Sequence, residues 1–301
     1  MTSRRKLGAA PGGEGRASVP ATGLLLLVGA LFMMPLVITL TNSFMTEAEI
    51  TLAYSTKLSV FDLIEGVVEK FRQFRFVPRQ FSIGQYAEVL VRQPSFLSLM
   101  LNSVRIAAPV TLGSLCVSML AAYGFMTWKW RFKEAVFAVF VVVMLMPLQA
   151  TLVPNYIIAD ILGIRESYLA IILPGVFAPF GAFLARQGMK ATPLSCLEAA
   201  RIDGAGELRV FTRIVLPQQK STIAALCMLV FVEYWNLVDQ AVVFISDYTR
   251  EPLSVYLSRI ADGRIGLVFA ASAVYMALPL WFLSLGQKDL QKGIELSGVK
   301  G

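Results

Sequence analysis

The chain has 301 residues, 56% of them hydrophobic and 16% charged, with a net charge of +7 and a mean hydropathy of +0.65. A water-soluble domain carries about 25% charged residues, so this composition excludes an ordinary soluble globule and sets much of the surface against lipid. Histidine is absent, which removes the commonest general base and metal ligand, and with them Ser/His and Cys/His nucleophile pairs.

The first 22 residues are rich in Gly, Pro, Ala and Arg, lack periodicity, and read as a disordered tail. A membrane helix needs about 20 mostly apolar residues. Six stretches qualify, at about Gly23–Leu40, Ser103–Phe125, Ala135–Ile157, Tyr168–Ala185, Thr222–Ile245 and Ile265–Leu285. Arg4, Arg5 and Lys6 precede the first, as in a signal peptide. Its apolar run exceeds the usual core of about 7–15 residues and no clear A-x-A site follows, so it reads as a retained helix.

Residues 41–101 form a long mixed segment. Its stretch Phe71-Arg-Gln-Phe-Arg-Phe76 interleaves aromatic and basic side chains. A strand or an interfacial element on the membrane is the better reading, because this segment lies outside the cell, away from nucleic acid. Ser82 is placed to cap a short helix through Arg92, with Ile83, Tyr86 and Leu90 on one face. Cys116, Cys196 and Cys227 form no CxxC and read as small buried residues.

Lys and Arg in the short loops set the orientation. One alternate set of segments carries Arg4, Arg5, Lys6, Lys129, Arg131, Lys133, Arg186, Lys190, Arg201, Arg209, Arg213 and Lys220 among others, whereas the opposite short loops carry only Arg165, Arg250, Arg259 and Arg264. The basic set is read as cytoplasmic, and six spans put both termini on that side.

The loop between the fourth and fifth spans, residues 188–217, is the most informative. Thr192 and Pro193 look like a helix start, a hydroxyl cap followed by proline at the first helical position. Leu194, Leu197 and Ile202 fit one apolar stripe. Gly204 and Gly206 end that helix and permit a sharp turn. Glu207 opens a second short helix, where its charge suits the positive end of the helix dipole, and Pro217 stops it. This is a helix–turn–helix lying across the cytoplasmic surface. Ala199 and Ala200 would let another protein approach the backbone, with Glu198, Arg201, Asp203, Arg209 and Arg213 as a charged rim. An amphipathic loop resting on the membrane fits the same pattern.

The fifth span is unusual in its polar content. On a continuous helix, Glu233, Asn236, Asp239 and Gln240 fall within an arc of about 120°, flanked by Trp235. A charge near mid-membrane costs about 2.5–3.5 kcal/mol on insertion scales, so these groups should face protein or water. Two readings stand: a polar wall of a translocation path, with Trp235 able to stack on a sugar ring, or hydrogen bonding to a neighbouring helix. Gly181 and Ala185 form a small-xxx-small pair suited to close helix packing.

Glu198-Ala199-Ala200, three residues, Gly204, nine residues, Ile214, one residue and Leu216-Pro217 resembles the EAA loop of binding-protein-dependent ABC importer permeases. The resemblance extends over about residues 101–301. It includes Asn102-Ser103, Ala121-Ala122-Tyr123-Gly124-Phe125, the stretch Pro147…Pro154…Leu162-Gly163…Tyr168…Leu173-Pro174, and the tail Leu290…Gly301, and it is to the carbohydrate, maltose-type branch. The family implies an all-α integral membrane fold with six transmembrane helices, cytoplasmic termini and a coupling helix–turn–helix, with residues 102–301 as the permease core. It implies a permease of a bacterial or archaeal cytoplasmic membrane, importing a carbohydrate delivered by an extracytoplasmic solute-binding protein. Its loop residues Glu198, Ala199, Ala200, Asp203, Gly204, Ile214, Leu216 and Pro217 would dock on an ATPase. A side chain at Gly204 would meet a forbidden backbone angle if φ is positive there, and would crowd the dock. The chain has no G-x-x-x-x-G-K-[S/T] motif, so ATP and Mg would sit on two separate ATP-binding subunits and this chain would bind no cofactor. Six helices are few for enclosing a path, which implies a second homologous permease. The loop around Ser246–Arg264, with Arg250 and Glu251, would contact the binding protein. An ion-coupled secondary transporter using Glu233 and Asp239 is the alternative, without the internal repeat such folds show; an intramembrane enzyme is opposed by the missing histidine.

Overall fold

A computed structural model describes residues 19–54, 77–259 and 265–298. The Phe71–Phe76 stretch, Asp262, Arg264 and the two chain ends lie outside the described residues. Among the described residues the chain is all-helical. In order the helices are α1 (Val19–Asn42), α2 (Glu47–Tyr54), α3 (Gly84–Ala87, continued by a π-helical turn Glu88–Arg92), α4 (Pro94–Thr127), α5 (Lys133–Met144), α6 (Leu148–Ile161), α7 (Leu169–Val176), α8 (Pro179–Met189), α9 (Leu194–Ile202), α10 (Glu207–Val210, running on through Phe211–Val215 to Leu216–Gln218), α11 (Lys220–Trp235), α12 (Asp239–Phe244), α13 (Leu253–Arg259) and α14 (Ile265–Gly298).

Among the described residues, four segments are long and apolar enough to cross a membrane: Thr22–Asn42, Pro94–Thr127, Leu169–Met189, which α7 and α8 share across Phe177–Ala178, and Ile265–Gln287. The other two expected spans are not single straight helices. Pro147 takes an extended conformation and separates α5 from α6, which meet at 101°. The segment Glu207–Gln218 meets α11 at 78°, and α11 stops at Trp235 before a break at Asn236–Val238 and the short α12.

The core is built around α4, which packs against α7, α8, α11 and α13. Its 34 residues span about 50 Å at 1.5 Å each, well beyond a hydrocarbon core of about 30 Å. Its inward face carries Ile106, Ala107, Val110, Ser114, Ser118 and Ala122. Small side chains there admit α8 closely: a Cβ on Gly181 would lie 2.2 Å from Ser118 Oγ. The Gly181/Ala185 pair thus does the packing its spacing suggested. The apolar side chains of α1 point outward, with Leu25 and Phe32 69% and 78% exposed, and that helix leans on α14.

Three local expectations need correction. Cys116 and Cys196 are exposed and Cys227 is half-buried, because each lies off the buried face of its helix. In α3 the Ser82 hydroxyl does accept the Gly84 N–H at 3.1 Å, but Gln85 and Val89 form the buried face while Ile83 and Leu90 face out. Thr192 does not cap α9; its hydroxyl accepts Gln219 Nε2 at 2.9 Å and so clasps the start of the loop to its end.

Candidate functional site

The loop is the helix–turn–helix expected of its sequence. α9 ends at Gly204, which has φ +82°, the left-handed conformation that suits glycine. Among the described residues, apart from its chain neighbours, no atom lies within 4 Å of a Cβ built there, so the space beyond this turn is open. The apolar stripe differs from the expected one. Leu197 is fully buried, whereas Leu194, Ile202 and, across the turn, Leu208 are 55%, 86% and 75% exposed. Glu198, Ala199 and Asp203 are also exposed, Ala200 and Ile214 half-buried, and Leu216 and Pro217 lie at the loop's exit. Leu197 anchors the motif while the turn presents an apolar tip ringed by charge.

Glu207 does more than face a helix dipole. Arg201 holds it with two hydrogen bonds, Nε to Oε1 at 2.8 Å and Nη2 to Oε2 at 3.1 Å, and the Tyr123 hydroxyl of α4 donates to Oε2. The Arg201 hydrogen bonds, and after them Tyr123, hold the Glu207 carboxyl below its usual range. The Tyr123 ring also packs on Phe211 at 5.1 Å. The turn is therefore tied to the second span as well as continuous with the fifth.

The other end of α4 holds a second loop. Asn102 Nδ2 donates to the carbonyls of Thr249 and Glu251 at 2.9 and 3.2 Å, and Ser103 Oγ accepts the Leu253 N–H at 2.9 Å. Asn102 and Tyr123 are 21 residues apart, about 30 Å of helix, so the two loops lie at opposite faces of a bilayer-thick slab. Glu166, at φ +58°, accepts both the backbone N–H and the hydroxyl of Ser246, at 2.9 and 2.7 Å. These bonds, the backbone one first, lower its carboxyl pKa. Arg250 is exposed, its guanidinium 5.4 Å from the Tyr168 ring. Glu251 is not available as a surface contact: it is 5% exposed and ion-paired to Arg259 at 2.6 Å. Burial pushes its carboxyl pKa up, against the pull of Arg259.

The fifth-span residues do not form one arc, because the helix breaks among them. Glu233, Asn236 and Asp239 reach the surface, whereas Gln240 and Trp235 are buried. Trp235 is fully enclosed, stacked between Phe231 at 5.6 Å and Tyr275 at 5.2 Å, so it offers no face for a sugar in this conformation. The break strands backbone carbonyls that must be satisfied away from water. Tyr275 of α14 donates to the Trp235 carbonyl at 2.6 Å, and the Ser254 hydroxyl donates to that of Leu237. Beside the break, Asp239 and Gln149 share an open cleft of about 390 Å³ with Leu148, Leu152, Val242 and Val243. Two interrupted spans thus meet, with Tyr156 of α6 stacked on Phe244 of α12 at 6.2 Å.

Several spanning helices, interruptions carrying polar groups and a protruding helix–turn–helix define a polytopic helical transport subunit. The chain belongs to the family of binding-protein-dependent transport system inner membrane components, whose model matches residues 114–287. It is 30% identical over 227 residues to the osmoprotective compounds uptake permease protein GgtD of Synechocystis sp., a match covering 73% of this chain and 76% of that one. It is 28% identical over 259 residues to the polygalacturonan/rhamnogalacturonan transport system permease protein YtcP of Bacillus subtilis, covering 80% and 89%. With the lactose transport system permease protein LacG of Rhizobium radiobacter it shares 31% over 161 residues, 54% of this chain and 59% of that one. Among solved structures, a bacterial ABC transporter involved in import of the acidic polysaccharide alginate has the same fold, with a TM-score of 0.73 at 20% identity, covering 90% of this chain and 95% of that one. The chain is a permease component of a binding-protein-dependent ABC importer. Its relatives are transport permeases, and the ion-coupled alternative is not favoured.

Proposed function

We propose that this chain is one of two homologous permease subunits that pass a carbohydrate from an extracytoplasmic solute-binding protein to the cytoplasm, driven by two separate ATP-binding subunits carrying ATP and Mg. The observation that carries the reading is the tip of residues 188–217. Exposed Ile202 and Leu208 flank a glycine turn, with Ala199 open beside them and no described residue filling the space next to Gly204. A protruding apolar tip with a charged rim suits a cleft on a protein partner better than bulk water. Docked there, ATP-driven closure would pull on α11 directly and on α4 through Glu207 and Tyr123.

The broken fifth span serves as the path wall in this reading, with Asp239, Asn236 and Glu233 as its polar surface. Interrupted helices place polar side chains at a transport site, which favours the path role over simple helix packing. Gln240 and Trp235 support that wall from behind. Arg250 reaches toward the binding protein, and Glu251 holds the loop that carries it. The lactose and polysaccharide named for relatives support a carbohydrate substrate. The inner-membrane family match over residues 114–287 supports a bacterial or archaeal cytoplasmic membrane, and counting each bent helix pair as one crossing gives the six spans of this reading, with both termini inside and residues 102–301 as the permease core.

The test is affinity purification of the chain from native membranes in mild detergent, with mass spectrometry of what co-purifies and ATP-dependent uptake in reconstituted vesicles. Recovery of an ATP-binding subunit and a second permease, with uptake that needs the binding protein, is expected. A stable, well-yielding complex without an ATPase overturns the proposal.

A further inference from the structure

The junction between α4 and α5 carries a groove of about 570 Å³ that the transport reading does not use. Leu120, Gly124 and Val136 line its apolar wall, Trp128 and Trp130 its rim, and Lys133 its polar edge. Leu120 is 57% exposed and Trp128 74%, so the groove opens outward from the helix bundle. Lys129 and Arg131 flank it in sequence, and both are exposed. Among the described residues, none of these three cations is within ion-pair distance of a carboxylate. The neighbouring basic residues Arg186 and Arg201 are, by contrast, paired to Glu134 and Glu207.

We propose that this groove is a binding site for an anionic phospholipid, with the phosphate at Lys133 and an acyl chain along Leu120, Gly124 and Val136. Three features of the occupant follow from the walls. The apolar wall lies on a membrane-spanning helix, so the ligand has a hydrocarbon part. Trp128 and Trp130 sit where indoles favour the headgroup level, between wet and dry surroundings. The unpaired charge is positive, and basic pockets between membrane helices suit phosphate headgroups. Glu207 also lines the groove, but its charge is matched by the two-bond contact with Arg201. Tyr123 lines it too, so the occupant touches the joint between α4 and the helix–turn–helix.

The test uses the purified transporter complex in nanodiscs of phosphatidylcholine with phosphatidylglycerol, with brominated chains on one lipid or the other. Quenching of Trp128 and Trp130 is obtained as the difference between wild type and the W128F/W130F complex. Brominated phosphatidylglycerol is expected to quench that component more strongly than an equal amount of brominated phosphatidylcholine. K133Q should reduce the preference, K129Q/R131Q/K133Q should abolish it, and K220Q, at another exposed lysine, should leave it intact. If the triple variant does not assemble, the matched comparison of K133Q with K220Q decides. Equal quenching by the two lipids, a preference that survives K133Q and the triple variant, or an equal loss in K220Q overturns the site. Failure here leaves the transport reading untouched, because no arm measures transport.

Discussion

Tyr123 on the second span donates its hydroxyl hydrogen to Glu207, 84 residues away in the loop, and the same carboxylate is forked by Arg201. One side chain thus joins a transmembrane helix to the turn proposed to meet the ATPase. In the proposed coupling, movement of the turn would be passed to α4 without travelling round through the backbone of α11.

Tyr123→Phe keeps the ring packed on Phe211 and removes only the hydroxyl. A hydrogen bond to an exposed carboxylate is worth about 1 kcal/mol, so uptake is expected to fall roughly fivefold with assembly unchanged. Glu207→Gln should fall further, since Arg201 also loses its ion pair. Uptake and subunit co-purification, measured together, check this; wild-type uptake by both variants refutes the transmission role.

Gly204→Val and Gly204→Asn separate backbone strain from crowding. Valine at φ +82° costs on the order of 1–2 kcal/mol, whereas asparagine tolerates that conformation. A Cβ at this position has no described atom within 4 Å beyond its chain neighbours. If the open space is a dock, both variants stay in the membrane and lose ATP-dependent uptake. Normal uptake with asparagine shows that only the backbone angle matters.

Trp235→Ala removes a fully buried ring and is expected to cost about 3–5 kcal/mol of fold stability. Its signature is lower yield and a lower unfolding temperature in detergent. Trp235→Phe should be far milder, because the indole N–H has no hydrogen-bond partner among the described residues to lose. Full stability of the alanine variant with a selective loss of transport would restore a direct ligand role.

The Glu207 contact has a defined pH window. Its folded pKa is held below the ordinary 4.5, so the contact is fully present above that value and is lost as pH falls through the depressed one. Hydrogen-exchange protection of residues 201–210 should be flat from neutral pH down to about 5 and drop only in stronger acid. Glu207→Gln should remove that step, and a step persisting in the variant assigns it elsewhere.

At the end of α4 remote from Tyr123, proposed to be the outer face, Arg250 and Glu251 are expected to behave differently despite being neighbours. Arg250→Ala loses an exposed guanidinium and should weaken binding-protein docking at unchanged stability. Glu251→Ala leaves Arg259 without its partner in a partly buried site, which should loosen the loop. Thermal unfolding and binding-protein affinity, measured on both, check the division.

Hydropathy and spacing alone made the membrane class, the apolar stretches and a helix–turn–helix with its turn glycine legible, whereas the coupling role of that loop came from its resemblance to the EAA loop. Each rests on a local quantity: mean transfer free energy over about 20 residues, or the backbone freedom of one residue. The tertiary structure decided the rest. A hydropathy window does not register whether a helix continues, so the breaks at Pro147 and at Asn236–Val238 were invisible to it. The second break is tolerated because Tyr275 and Ser254, on other helices, satisfy the carbonyls it frees. Burial of Trp235 and Glu251, and the meeting of Tyr123 with Glu207, likewise depend on which helices pack together, and no helical periodicity within one segment carries that information.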